Sequence, residues 1–302
     1  MSVERRTLPG RSEWNLRPLR KAGKSSRFTI RPVIDLHSHI LPGIDDGPDS
    51  ERDSLLLARA AAADGCQIMV ATPHLRDDHP AVRPEELAAR CAALNTALAA
   101  ASIALQVVPG GEVDVLWARS ASDEELRLVS FGQRGTDLLL ETPYGPLPFG
   151  FENAVAGLRE RGYRILLAHP ERNPSFQRDP SRLRQLVRDG VLVQVTAQSL
   201  IDDGRRSGSR ELAIAMVDEG LAHVIATDAH RAREFRPPNL AAGVLAASRI
   251  APARATWMVV DAPLAILAGK PLSPMPANVV ATVTEDHVRR PQPRWLSRLG
   301  SA

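Results

Sequence analysis

From Val33 onward, short apolar runs alternate with longer amphipathic ones. The short runs are Val33–His39, Gln67–Thr72, Ile103–Val108, Leu138–Glu141, Ile165–His169, Leu192–Thr196 and His223–Thr227. They are nearly continuous and rich in branched side chains, the pattern of strands buried on both faces. Helical patterns fill the intervals. Ser50 is placed as an N-cap, with Asp53 three residues on, before the apolar run Leu55–Ala63. Pro84 suits the first turn of a helix over Glu85–Ala100. Further helices are predicted over Phe151–Arg161, stopped by Gly162, over Ser181–Asp189, and over Ser209–Glu219, closed by Gly220. Asn239–Ser248 and Arg254–Val260 complete the series. Seven strands alternating with helices predict an α/β fold with a parallel sheet. An open doubly wound sheet gathers its ligand groups at one switch point. Here polar residues close nearly every strand, which favours a barrel.

Those closing residues carry the chemistry. Five of the eight histidines end strand-like runs: His37 and His39 in V-I-D-L-H-S-H, His74 in A-T-P-H, His169 in L-L-A-H and His230 in A-T-D-A-H. Glu112 follows V-V-P-G-G, Glu141 follows D-L-L-L, and Asp228 precedes His230. Barrel strands deliver catalytic groups at their C-terminal rim. In a strand, positions i and i+2 share a face, so His37 and His39 can aim at one cation. Asp45 and Asp46 lie in a Gly-flanked loop above the same rim. Imidazoles and carboxylates on one rim make an N/O metal site suited to Mn, Fe or Zn, and the chain reads as a metal-dependent hydrolase. Gly110 and Gly111 are expected to let the backbone approach that site closely. Arg172 and Arg236 follow His169 and His230 by short loops and are candidates for binding phosphate, with Arg76, Arg231 and Arg233 adding positive potential. His79, His223 and His287 have ordinary structural readings.

Charge changes the picture only at one end. Residues 1–33 hold nine Lys/Arg and two acids, a net +7; the chain is +3 overall, so the remainder is −4. A uniform nucleic-acid-binding face is therefore not expected. Residues 1–32 form a basic extension, read as a disordered arm or as a weak contact to anionic surfaces. No signal peptide or bilayer-spanning run is recognised. From Pro271 the chain is Pro-rich and loses periodicity, so 271–302 reads as a tail to a unit spanning 33–270. Cys66 and Cys91 read as buried fillers of a reduced, cytoplasmic protein. A thiolate phosphatase needs Arg six residues after its Cys; those positions hold Thr72 and Ala97.

The motifs D-L-H-S-H-I-L-P-G-I-D-D-G-P (Asp35–Pro48), A-T-P-H (Ala71–His74), G-G-E-V (Gly110–Val113) and L-L-L-E-T-P-Y (Leu138–Tyr144) follow one another in the chain. A-H-P-E-R (Ala168–Arg172), Q-V-T-A-Q-S-L (Gln194–Leu200), I-A-T-D-A-H (Ile225–His230) and R-P-P-N-L (Arg236–Leu240) complete the set. Together the chain resembles the polymerase and histidinol phosphatase (PHP) superfamily. Within it, the chain is similar to the manganese-dependent tyrosine-protein phosphatases of bacterial capsule and exopolysaccharide loci. The resemblance implies a distorted (β/α)7 TIM-like barrel and up to three divalent metals, Mn2+ first, with Fe, Co or Zn as substitutes. It places one metal on His37, His39, Glu112 and Asp228, a second on Glu112, Glu141 and His169, and a third on Asp46, His74 and His230, with Asp45 as the alternative to Asp46. It implies a protein-tyrosine-phosphatase in which a metal-bound hydroxide attacks phosphorus while Arg172 and Arg236 neutralise the phosphoryl oxygens. The implied substrate is a phosphotyrosine protein, such as a membrane-associated tyrosine kinase. Competing readings are a PHP phosphoesterase acting on a small metabolite such as histidinol phosphate, and a non-catalytic metal-stabilised kinase-binding module; an exonuclease ranks lower. Thr196 and Asn173 depart from the family's usual residues. The sequence leaves the oligomeric state open.

Overall fold

The computed structural model describes residues 31–143, 145–201 and 207–278. The basic extension, except Arg31 and Pro32, and the tail beyond Asn278 lie outside the described residues. Seven parallel strands follow one another in space as in sequence. They are Ile34–Ser38; Ile68–Ala71, continued by His74–Leu75; Gln106–Pro109, continued by Glu112–Asp114; Asp137–Glu141; Arg164–Leu167; Leu192–Thr196; and Val224–Ala226. Ile34 faces Ile68, Ile68 faces Gln106, His74 faces Glu112, Asp114 faces Glu141, Leu139 faces Leu166, Leu166 faces Leu192, and Gln194 faces Val224. A bridge from Ser38 to Ala229 closes the circle, with His39 N donating to Ala229 O at 2.8 Å and Asp228 N to His37 O at 2.9 Å. This is the expected seven-stranded α/β barrel.

The strand interiors are buried because helices cover one face and the barrel core the other. Leu36, Met69, Val107, Leu138, Leu140, Ile165, Leu167, Val193 and Ile225 are all buried. Asp35 sits among them and ties the first strand to the last. It accepts from Thr227 N at 3.1 Å and from the Thr227 hydroxyl. Burial pushes its carboxyl up to about 6 despite those bonds.

The second strand is interrupted at Pro73, which has no N–H to give to a ladder, and the third at Gly110–Gly111. A Cβ on Gly111 would lie 2.4 Å from Leu75 Cδ2 and 3.0 Å from Val129 Cβ. One on Gly110 would lie 2.9 Å from Val70 Cγ1. The glycines are thus required by packing against core side chains, which corrects the expectation that they open the backbone toward the site.

Ser50 caps helix Glu51–Ala63 through Asp53 N at 3.3 Å, as its spacing predicts. The sequence reading misses several short helices, among them Val115–Ser120, capped by Asp114, and Asp123–Val129. The latter carries a full capping box, Ser122 and Glu125, which was legible as S-x-x-E. The predicted helix over Arg254–Val260 is instead Pro252–Ala255, and a separate helix Asp261–Leu267 follows. Ala251 and Val260, the two N-caps, leave helical backbone angles and divide the segment. No helix among the described residues is long and apolar enough to cross a membrane.

Candidate metal centre

The C-terminal rim gathers all nine sequence-predicted ligand residues. His37 and His39 alternate along the end of the first strand, are fully buried, and have ring centroids 5.5 Å apart. His37 Nε2 lies 3.2 Å from both Glu112 Oε2 and Asp228 Oδ1. His39 Nε2 lies 3.4 and 3.2 Å from the same two oxygens. These four atoms are buried and have no hydrogen-bond partner. Buried polar atoms are rarely left so, and four converging from three strand ends are what a divalent cation requires.

The other ring nitrogens are committed. His37 Nδ1 is 3.1 Å from Gln194 Oε1, and His39 Nδ1 is 2.7 Å from Asp45 Oδ2. Both oxygens accept, so each Nδ1 carries the proton and each Nε2 a lone pair. Asp45 is therefore the orienting carboxylate of His39, and Asp46 the outward one. Gly47 makes this turn possible: a Cβ there would lie 2.0 Å from His39 O, and its N–H donates to Asp45 Oδ1 at 3.0 Å.

Two further groupings share the rim. His39, Asp46, His74 and His230 offer donor atoms within 4.8 Å of one another, as do His74, Glu112 and Glu141. Asp46 Oδ1 is 3.1 Å from His230 Nε2 and 3.6 Å from His74 Nε2. His230 Nδ1 is bound to Asp228 O at 2.8 Å, which leaves its Nε2 as the acceptor. His74 Nδ1 is 3.0 Å from Glu112 Oε2 and 3.5 Å from Glu141 Oε2. His169 Nε2 meets the other oxygen of Glu112 at 2.8 Å. Glu112 is thus the central carboxylate, with Oε2 facing three imidazoles and Oε1 a fourth.

Charge follows this geometry. Burial opposes ionisation throughout. At Glu112, Asp228, His37 and His74 the neighbours outweigh it, whereas at His230 burial and the adjacent His39 prevail and lower it. Glu112 is held well below the usual carboxylate range by His37 and His74, and Asp228 likewise by His37 and Arg172. Burial pulls His37 down, yet Glu112 and Asp228 raise it above its ordinary value. His74, against the same burial cost, is pushed up to about 10 by Glu112. Protons and divalent cations would compete for these lone pairs, so the cluster has the electrostatics of a cation site.

Both predicted arginines reach it. Arg172 Nη1 is 2.5 Å and Arg236 Nη1 3.2 Å from Asp228 Oδ2, the oxygen turned away from His37 and His39. Arg236 Nη1 also lies 3.1 Å from His230 Nε2. His169, Asp228 and Arg236 take φ values of 31°, 54° and 47°. Such left-handed backbone in non-glycine residues costs about 1–3 kcal/mol each and is characteristic of functional sites. Arg231 pairs instead with Asp49 at 3.0 Å, while Arg76 reaches Glu141 Oε2 at 3.4 Å as well as Asp78.

Three contributors escaped sequence reasoning. Gln194 accepts from His37 and, at 3.3 Å, from His169 N; a lone polar residue inside L-V-Q-V-T was its signal. Asp45 was considered only as a ligand. His79, read as a loop residue, stacks on His74 with centroids 5.0 Å apart and planes at 17°. Asn173, an apparent departure, caps Pro174–Arg178 and donates to Pro143 O and Gly145 O, pinning the loop after Glu141. His223 stands at the other end of its strand, where burial lowers it to about 4.

Neither cysteine belongs to the centre. Both are buried, and burial pushes Cys66 well above the ordinary thiol value and Cys91 up to about 12. Folded Cys66→Ser and Cys91→Ser proteins are expected to keep most of any turnover that the rim supports. Total loss in a folded variant with its metals intact would overturn the metal assignment.

The capsular polysaccharide synthesis CpsB/CapC family model matches residues 33–267. The tyrosine-protein phosphatase YwqE of Bacillus subtilis is 34% identical over 203 residues, 67% of this chain and 78% of YwqE. The putative tyrosine-protein phosphatase CapC of Staphylococcus aureus is 30% identical, covering 66% of this chain and 77% of CapC. A solved structure from work on YwqE of B. subtilis and CpsB of Streptococcus pneumoniae, described as metal-dependent tyrosine phosphatases, superposes with a TM-score of 0.70 at 28% identity. It spans 81% of this chain and 99% of that one. The chain belongs to the CpsB/CapC family.

Proposed function

On the premise of that family, we propose that this chain is a metal-dependent protein-tyrosine phosphatase acting on a phosphotyrosine protein, a tyrosine kinase of capsule or exopolysaccharide synthesis. The observation that carries the reading is the set of orphaned buried donors on Glu112, Asp228, His37 and His39, flanked by two guanidinium groups. The proposed holders are His37, His39, Glu112 and Asp228 for one cation, Glu112, Glu141 and His169 for a second, and Asp46, His74 and His230 for a third. A neutral imidazole has one lone pair. His74 can therefore serve only one of the two groupings it borders, and His169, already on Glu112, supplies the remaining nitrogen. Mn2+ is the proposed metal, as the family resemblance implies, and imidazole and carboxylate donors without thiolates are compatible with it as with Fe, Co or Zn.

Bound cations would supply Lewis acidity toward phosphoryl oxygens and would ease deprotonation of water. The chain's own residues do the rest. Arg172 and Arg236 bind and neutralise the phosphoryl oxygens, and Gln194 and Asp45 hold the imidazoles in one tautomer. The leaving phenolate has a pKa of about 10, so its expulsion asks little of a general acid. The catalytic unit is residues 33–270, with the basic arm 1–32 and the tail 271–302 outside it. Buried free thiols suit a cytoplasmic site of action.

Metal analysis coupled to turnover of phosphotyrosine peptides and of histidinol phosphate tests the reading. Phosphotyrosine turnover should dominate with Mn2+, and exclusive turnover of histidinol phosphate would replace the substrate assignment. The orienting role of Asp45 adds a second check. Asp45→Ala should weaken metal affinity about 10–100-fold while leaving the fold intact. Unchanged affinity would return Asp45 to a purely structural role.

A further inference from the structure

Phe235 is one of five large apolar side chains left exposed among the described residues, at 54% relative accessibility. Its ring meets the His230 imidazole edge-on, with centroids 5.6 Å apart and planes at 81°. The Arg236 guanidinium carbon lies 5.0 Å from the Phe235 ring centroid. Phe235 thus touches both a member of the donor cluster and a phosphate-binding arginine, while half of its surface faces solvent.

The backbone holds it there at a cost. The residues on either side, Glu234 and Arg236, have φ values of 67° and 47°, a region that L side chains rarely adopt. The Arg236 carbonyl accepts from His230 N at 2.9 Å, which fixes the loop against the rim. Beyond its contacts with His230 and Arg236, the ring keeps an exposed surface on a strained, pinned loop that is open to a further contact. A phosphate held by Arg236 beside the His230 cluster brings its ester substituent within reach of the ring.

We propose that Phe235 is a specificity-determining residue, the surface against which the aryl group of the substrate stacks. It gives the site a preference for aryl over alkyl phosphoryl groups. The inference rests on the phosphatase reading and deepens it. Aromatic pairs gain beyond simple burial through edge and face geometry, which an alkyl substituent does not offer.

The test is calorimetric titration of the Mn-loaded full chain with phenylphosphonate, methylphosphonate and inorganic phosphate. Wild type should bind phenylphosphonate more tightly than methylphosphonate. Phe235→Ala should weaken phenylphosphonate alone, by about 3–10-fold, and Phe235→Trp should retain it. For a phosphotyrosine peptide, Phe235→Ala should raise KM and leave kcat unchanged, the mark of lost uniform binding. Equal weakening of all three ligands would overturn the proposal, because Phe235 would then act only by positioning Arg236. Unchanged phenylphosphonate binding would overturn it as well. Aryl preference without turnover of phosphotyrosine would sink the phosphatase reading and keep the aryl subsite. A wild type that binds none of the three would sink both.

Discussion

An Asp228→Ala protein is expected to lose phosphotyrosine hydrolysis by about 10³-fold or more, together with at least one bound metal. The same loss should follow chelation of the wild type, with Mn2+ restoring activity. Asp228 is the group on which the site converges: its Oδ1 faces His37 and His39, and its Oδ2 takes Arg172 and Arg236. Removing it leaves four cationic or protonatable partners without their shared anion. Breaking one side of a buried charge network costs about 3–5 kcal/mol, so the apo variant should also melt earlier than apo wild type. Asp228→Asn, nearly isosteric, keeps the volume and separates loss of charge from loss of packing. His37→Ala should remove metal and activity without that added charge imbalance on the arginine side. Bound metal measured by mass spectrometry, alongside turnover, decides the matter. Unchanged metal content in both the Asp228 and His37 variants would move the centre elsewhere, and full activity in a verified metal-free protein would end the mechanism.

Arg172→Ala and Arg236→Ala should each lower kcat/KM by about 10²–10³-fold while the metals stay bound, the usual consequence of removing one donor to developing negative charge. Both guanidinium groups contact the outward oxygen of Asp228, with side chains 27% and 29% exposed. They can thus turn part of their donor fork toward an incoming phosphate. Lysine should rescue poorly, since it keeps the charge but not the planar fork. Arg172 carries the larger structural burden. Burial lowers its pKa, but Asp228 and Glu171 more than offset this and raise it overall. Its alanine variant is therefore the one to check for metal loss. Effects within about twofold for both alanine variants would leave phosphate binding to the cations alone.

The seven strands were legible because each is buried on both faces and its composition is correspondingly apolar. The N-cap at Ser50 was legible for a local reason, a hydroxyl three residues before the amide it accepts from. The helices at Val115–Ser120 and Asp123–Val129 were not found, although the capping box at Ser122 announced the second. Their short amphipathic stretches give too few turns for periodicity to stand out. The glycines at Gly110 and Gly111 were correctly singled out, but for the wrong neighbour. Only three-dimensional packing reveals that Leu75 and Val129 occupy the space a side chain would need.

The sequence by itself determined which side chains stand at strand ends, and so the chemistry of the rim, because strand period and burial are local properties of the chain. It also set the H-x-H pair on one face and denied both cysteines an arginine partner. The tertiary structure decided how those residues divide among themselves. It turned Asp45 inward onto His39 and Asp46 outward toward His230, a choice made by the turn at Gly47. It brought Gln194 to His37 across 157 residues of sequence, and Arg172 to Asp228 across 56. Closing the barrel through Ser38 and Ala229 made these distant groups neighbours. Hydrogen-bond direction and charge pairing depend on separations of a few ångströms between residues remote in the chain, and only the closed barrel fixes those.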